Sequence, residues 1–502
     1  MPEARLKVTE VVASQISPEL FGSFVEHMGR CVYGGIFAPG DPMADENGFR
    51  TDVIELTKEM GVTAVRYPGG NFVSGYRWED GVGPQDQRPS RLDLAWRSIE
   101  TNQFGLNEFM KWIAKIDAKP VMAVNLGTRG LEDAARLVEY TNTDFGTELS
   151  ELRKQHGQQD TYDIRYWCLG NEMDGPWQVG HKTASDYGKL AAESAKAIRL
   201  VDPEVELVAC GSSFEEMPTF GDWETTVLEH TFDHVDLISM HAYYEKYGED
   251  SQSFLASSAR MDRFINGVIQ RADDVAKAKG SDKRINISFD EWNVWYQKRF
   301  AGVDKLEFVQ APKLIEDEYT VEDAVVVGSL LMTLVKHADR VKIACQAQLV
   351  NIIAPIRTEP GVPAWRQTIF YPFALTAAVA GHELLTSELE TEMGDSELFK
   401  DLPMTDSVVT RDPNNGDLRI FMLNRELSDQ TDLQVDLQNL SQDYEVAEAV
   451  YLGGKDLDLT NNQENPNRVK PLPLDAVTIN DSQLTTTLPP ATWAMVRLNV
   501  RD

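Results

Sequence analysis

The chain has 502 residues, too many for one compact core, so its length favours two domains, one of them large. Apolar residues make up 42% and charged residues 25%, an ordinary composition for a soluble globular protein. The formal net charge of −32 argues against nucleic acid, anionic membrane and acidic polymers as partners, and suits a neutral substrate.

The opening Met1-Pro2-Glu3-Ala4-Arg5-Leu6-Lys7 has neither an apolar signal core nor a small-residue cleavage site. The most apolar stretch, Ala324 to Val335, has the length of a core helix and is too short to span a bilayer. Cys168, Cys210 and Cys345 fall in or beside core strands and read as free buried thiols in a reducing compartment. The expected location is the cytoplasm.

Arg5 to Val12 reads as a short strand, broken at Ile16-Ser17-Pro18. Strand-like and helix-like runs then alternate. The predicted strands are Leu20–Val25, Ala64–Tyr67, Pro120–Asn125, Ile164–Leu169, Val205–Ala209, Val235–Met240, Ile285–Phe289 and Val341–Ala347. Amphipathic segments lie between them: Asp52–Met60, Thr183–Leu200, Ala259–Lys279 and Val321–His337, with a last helix expected over Ala364–Ala380. Eight strand–helix units are the arithmetic of a (β/α)8 TIM barrel, for which roughly 250 residues is typical and loop insertions are common. After His382 come short alternating runs punctuated by Asn, Asp, Gly and Pro, including the hairpin turn Asp412-Pro413-Asn414-Asn415-Gly416. The fold class is therefore α/β: a barrel over residues 16–382 followed by an all-β sandwich or jelly roll over 383–502. Residues 1–15 are expected to pair into that β domain.

Two of the strands end alike. Arg165-Tyr166-Trp167-Cys168-Leu169-Gly170 runs into Asn171-Glu172, and Ile285-Asn286-Ile287-Ser288-Phe289 runs into Asp290-Glu291-Trp292. Two strand-end carboxylates are what glycosidic cleavage requires: one protonates the leaving oxygen, and the other attacks or activates water. The remaining strand ends of such a barrel gather Glu26 and His27; Arg66 with Gly69-Gly70-Asn71; Asn125; His241, Tyr243 and Tyr244; and Gln346, Gln348 and Asn351. A ring of carboxylates, amides and aromatics with hardly any cation describes a carbohydrate pocket, although each amide alone reads as a loop cap. His230 and His234 lie four apart with Thr231 where a zinc-protease site needs Glu, so no metal or other cofactor is assigned. Phosphate-binding, dinucleotide-binding and serine-hydrolase motifs are absent from the sequence.

Fuller phrases carry a family resemblance. They are Gly22-Ser23-Phe24-Val25-Glu26-His27-Met28-Gly29-Arg30, Arg66-Tyr67-Pro68-Gly69-Gly70-Asn71-Phe72, Glu100-Thr101-Asn102-Gln103-Phe104-Gly105, His241-Ala242-Tyr243-Tyr244 and Ala347-Gln348-Leu349-Val350-Asn351. Together with the two glutamate motifs they resemble glycoside hydrolase family 51, the α-L-arabinofuranosidases of clan A, from about Glu19 to Pro372. The resemblance implies a retaining, exo-acting enzyme, commonly a homo-oligomer and often a hexamer. It implies Glu172 as general acid/base and Glu291 as nucleophile. By the same carry-over, Glu26, Asn71, Asn171, Tyr243, Trp295 and Gln348 bind an arabinofuranosyl oligosaccharide. The runner-up is another clan A retaining glycosidase, a β-xylosidase or an endoglucanase; a non-catalytic sugar-binding barrel is the reading from a different class.

Overall fold

The computed structural model describes residues 2–501. Eight parallel strands close into a barrel in the order Gly22–Phe24, Ala64–Tyr67, Lys119–Val124, Tyr166–Leu169, Glu206–Ala209, Leu237–Tyr244, Asn286–Val294 and Val341–Ala347, the last pairing back onto the first. All eight predicted strands are present. The first is shorter than expected, because Pro18–Phe21 forms a turn of 3-10 helix before the chain extends at Gly22. Parallel strands need crossovers that cover them, and the intervening helices bury nearly every strand residue, which is why these segments read as continuous apolar runs.

The expected helix over Ala364–Ala380 is corrected. Ile356–Glu359 and Val362–Arg366 pair as a hairpin, and the helix is confined to Phe370–Ala377. Pro372 supplies the reason. It has no N–H to donate and is tolerated only in a first helical turn, where it stands here; a helix begun at Ala364 would place it in the interior.

Ten of the remaining strands form one sheet. Glu3–Gln15 lies inside it, antiparallel to Glu383–Glu390 and parallel to Thr431–Asp436. The predicted turn at Asp412–Gly416 joins Thr405–Arg411 to Leu418–Asn424. Leu418, Ile420 and Met422 share a core with Leu6, Val8, Val435 and Leu484, so strands from both halves of the sheet close on one apolar layer. The alternate residues Phe421 and Leu423 belong instead to the core that is continuous with the barrel.

Helix Val321–Lys336 joins the two parts. Its residues Val321 to Val335 are all buried, between barrel strands on one side and the sheet on the other. Gly328 permits the contact: a Cβ there would stand 2.5 Å from Trp493 Cδ1. Cys31, Cys168, Cys210 and Cys345 are free and buried. Among the described residues, no helix is long and apolar enough to cross a membrane.

Candidate active site

The seventh strand is irregular where the site needs it. Its pairing with the sixth strand shifts register between Ser288 and Glu291, and its pairing with the eighth shifts between Phe289 and Trp292. Consecutive residues of a regular strand face opposite sides, whereas a bulge re-aims them. As a result Asp290 and Glu291 both enter one network. Glu172 follows the fourth strand with φ at +44°, a left-handed conformation that costs a non-glycine residue about 1 kcal/mol.

Glu291 Oε1 accepts from Arg66 Nη1 at 2.6 Å, and Oε2 accepts from Tyr243 Oη at 2.8 Å. Arg66 Nη2 also donates to Asn171 Oδ1 at 2.8 Å, and Asn171 Nδ2 donates to Asn71 Oδ1 at 3.2 Å. His241 stands between the acids: Nδ1 lies 2.9 Å from Glu172 Oε1 and 3.6 Å from Glu291 Oε2, and Nε2 lies 2.7 Å from Asp290 Oδ1. Burial alone would strip the His241 proton, but the Glu291 charge and the bonds to Asp290 and Glu172 overcome it and push the imidazole up to about 10. Burial works to raise Asp290 too, yet Arg66 and His241 hold it below the usual carboxylate range. Glu291 is raised, by burial first; His241 and Arg66 limit the rise, while the Glu172 charge adds to it.

One oxygen each from Glu172 and Glu291 and one ring nitrogen of His241 lie within 4.8 Å of one another. Such a triangle has the dimensions of a cation site. An imidazolium with both N–H groups committed has no lone pair to offer a metal, so His241 itself supplies the positive charge.

Glu26 forms a second cluster. Its Oε1 accepts from Phe72 N and Trp96 Nε1, both at 2.9 Å, and its Oε2 accepts from Gln348 Nε2 at 3.1 Å. Gly70 makes room for this carboxyl, since a Cβ there would come within 2.6 Å of Glu26 Oε2. The backbone thereby closes directly on Glu26. Burial, then the Glu291 charge, pushes Glu26 up to about 8 against the pull of the Phe72 and Trp96 donors. An acid raised on folding disfavours the fold once the unfolded chain ionises, so Glu26 costs stability progressively as pH rises from its ordinary value of 4.5 to about 8. Glu26→Gln is therefore expected to gain in melting temperature relative to wild type between pH 5 and pH 8.5, by roughly 2 °C or more. A difference that does not change with pH would contradict this.

Glu26, Asn71, Glu172, Tyr243, Glu291, Trp295 and Gln348 line one cavity of about 670 Å3. Asn171 lies beneath it, buried, in contact with Arg66 and Asn71. Trp295 meets Tyr243 edge-on, with ring centroids 5.1 Å apart. The sequence led us to expect hardly any cation here, and that is corrected: Arg66 and His241 are both buried within the acid cluster. Asn125 and Asn351 are caps rather than pocket residues. Asn125 Oδ1 accepts from the backbone of Gly127 and Thr128, and Asn351 Oδ1 accepts from Thr358 N while its Nδ2 donates to Arg30 O. Trp96, Trp177 and Phe214 also line the cavity and were not singled out beforehand. Trp96 comes from the turn of a hairpin, Arg91–Asp93 with Ser98–Glu100, whose strands are too short to show a period.

A closed parallel barrel with two facing glutamates at the strand ends, in a cavity lined by amides and aromatics, defines a glycoside hydrolase. Two protein-family models match the chain, an α-L-arabinofuranosidase 1 domain over residues 56–262 and an α-L-arabinofuranosidase C-terminal domain over residues 290–492. The chain is 53% identical over 485 residues to the intracellular exo-α-(1→5)-L-arabinofuranosidase of Streptomyces lividans, covering 96% of this chain and 73% of the relative. It is 51% identical over 517 residues to the exo-α-(1→6)-L-arabinofuranosidase of Bifidobacterium longum, covering 99% and 98%. The solved structure of AbfB, a family 51 α-L-arabinofuranosidase from Bifidobacterium longum, superimposes with a TM-score of 0.95 at 45% identity, covering 99% of this chain and 100% of that one. The chain belongs to the α-L-arabinofuranosidases of glycoside hydrolase family 51.

Proposed function

We propose that this protein removes terminal non-reducing α-L-arabinofuranosyl residues by double displacement, with Glu291 as nucleophile and Glu172 as general acid/base. The activity itself is that of an exo-acting α-L-arabinofuranosidase. One observation carries the double displacement: an oxygen of Glu172 and an oxygen of Glu291 lie within 4.8 Å of each other, a short spacing that favours a retaining pair, whose carboxyl groups stand roughly 5 Å apart, over an inverting one.

In this reading Glu291, held by Arg66 and Tyr243, attacks the anomeric carbon from the face opposite the leaving group. Glu172 gives its proton to the leaving oxygen, then takes one from the water that cleaves the glycosyl ester. Glu26, Asn71 and Gln348 bond the hydroxyls of the terminal furanose, Asn171 and Tyr243 complete that pocket, and Trp295 lies alongside. The two relatives described above are named for (1→5) and (1→6) linkages, so the reading assigns the terminal sugar and not the linkage. The protein acts inside the cell, as the Streptomyces lividans relative is named, and assembles as a homo-oligomer, a hexamer on the family resemblance. Residues 16–382 form the catalytic domain, while 2–15 and 383–501 form the other; Met1 and Asp502 lie outside the described residues.

The test is hydrolysis of 4-nitrophenyl α-L-arabinofuranoside beside the matching β-D-xyloside, with the first-formed anomer read by NMR. The expected outcome is preference for the arabinofuranoside and release of the α-anomer. Preference for the xyloside would move the pocket assignment, and release of the β-anomer would overturn the double displacement.

A further inference from the structure

Glu172 carries two hydrogen bonds of different character. Oε1 faces His241 Nδ1 at 2.9 Å, and that ring is fixed: it is 2% exposed and its other nitrogen is held by Asp290. Oε2 accepts the indole N–H of Trp177 at 2.6 Å, and Trp177 is 46% exposed. The Trp177 ring lies nearly parallel to that of Phe214, with centroids 6.0 Å apart, and both line the cavity. An N–H donated to a carboxylate favours its charged form. The indole bond therefore opposes the acid that must protonate a leaving oxygen, and supports the base that must later deprotonate water.

We infer that Trp177 is a positioning residue that switches Glu172 between these two states in step with the leaving group. The inference rests on Glu172 being the acid/base. A leaving oxygen must reach Glu172, so the sugar it belongs to lies on the side where Trp177 and Phe214 stand. Apolar C–H faces of a sugar pack on such rings, and a sugar seated there takes the indole off Oε2. Its departure lets the bond re-form before water is activated.

The other groups around Glu172 stay in place through this cycle. His241 and Tyr243 face it from the sixth strand, and Glu291 and Asp290 from the seventh, with Arg66 of the second strand bonded to Glu291. Asp174, on the same loop as Glu172, is pushed up to about 6 by burial first, with the Glu172 charge adding to the rise, and is bonded by Ser213 rather than by the indole. The exposed indole is the donor that a ligand is free to move.

Trp177→Phe keeps a ring for packing and removes only the N–H. The basic limb of kcat/KM on an arabino-oligosaccharide, whose leaving group needs the proton, is expected to move up by about one pH unit while KM changes little. The acidic limb of kcat on a dinitrophenyl arabinofuranoside, where the second step limits, moves the same way. Limbs that coincide with wild type would overturn the inference. Glu172→Gln is the control on the underlying reading: loss of its basic limb beside an unshifted Trp177→Phe profile sinks the switch alone. Survival of that limb in Glu172→Gln would sink the acid/base assignment with it.

Discussion

Glu291→Ala is expected to lower kcat on 4-nitrophenyl α-L-arabinofuranoside by roughly five orders of magnitude. The first step needs a carboxylate bonded to the anomeric carbon, and neither neighbour can replace it. Asp290 is committed to His241, Cys168 and Arg66, and Glu26 is held neutral up to about pH 8 by burial and the Glu291 charge, its oxygens already bonded by Phe72, Trp96 and Gln348. The variant should still fold, because Arg66 keeps Asp290 and Asn171 as partners and His241 keeps Asp290 and Glu172. Azide should restore part of the rate and yield the β-glycosyl azide, since a single displacement inverts. Activity above about a thousandth of wild type without azide would indicate a different nucleophile.

Glu172→Ala should behave differently, and its loss should depend on the leaving group. Substrates whose leaving oxygen must be protonated are expected to fall by roughly three to four orders of magnitude. A dinitrophenyl arabinofuranoside departs without a proton, so its first step survives and hydrolysis of the glycosyl-enzyme becomes limiting. Azide needs no general base, so it should accelerate that second step and give the α-glycosyl azide, the product of two inversions. Equal losses on good and poor leaving groups would contradict the acid/base role.

The parts of this site that were legible in the sequence are those set by local pattern. Ile164 to Leu169 and Ile285 to Phe289 are apolar strands ending in acids, and both acids lie where barrel strands deliver them. The acid cluster was less legible. Strict alternation along the seventh strand puts Asp290 on the face opposite Glu291, and only the register shift in its pairing brings both into one network. Arg66 and His241 were visible as strand-end residues, but their charged roles depend on partners 225 and 49 positions away, Glu291 and Asp290. Asn125 and Asn351 show the reverse case, polar residues at strand mouths consumed by capping their own loops. Trp177 follows Gly175-Pro176 in an irregular loop, where no period announces what an indole will face.

The central claim is that a covalent bond forms between the sugar and Glu291. It is tested most directly by mixing Glu172→Ala with a dinitrophenyl α-L-arabinofuranoside, quenching, and reading intact and peptide masses. The account predicts an enzyme heavier by one arabinofuranosyl group, with the added mass on the peptide that carries Glu291, and loss of that mass when azide is present. An enzyme that turns over this substrate with no adduct, or that carries the sugar on another residue, would contradict it.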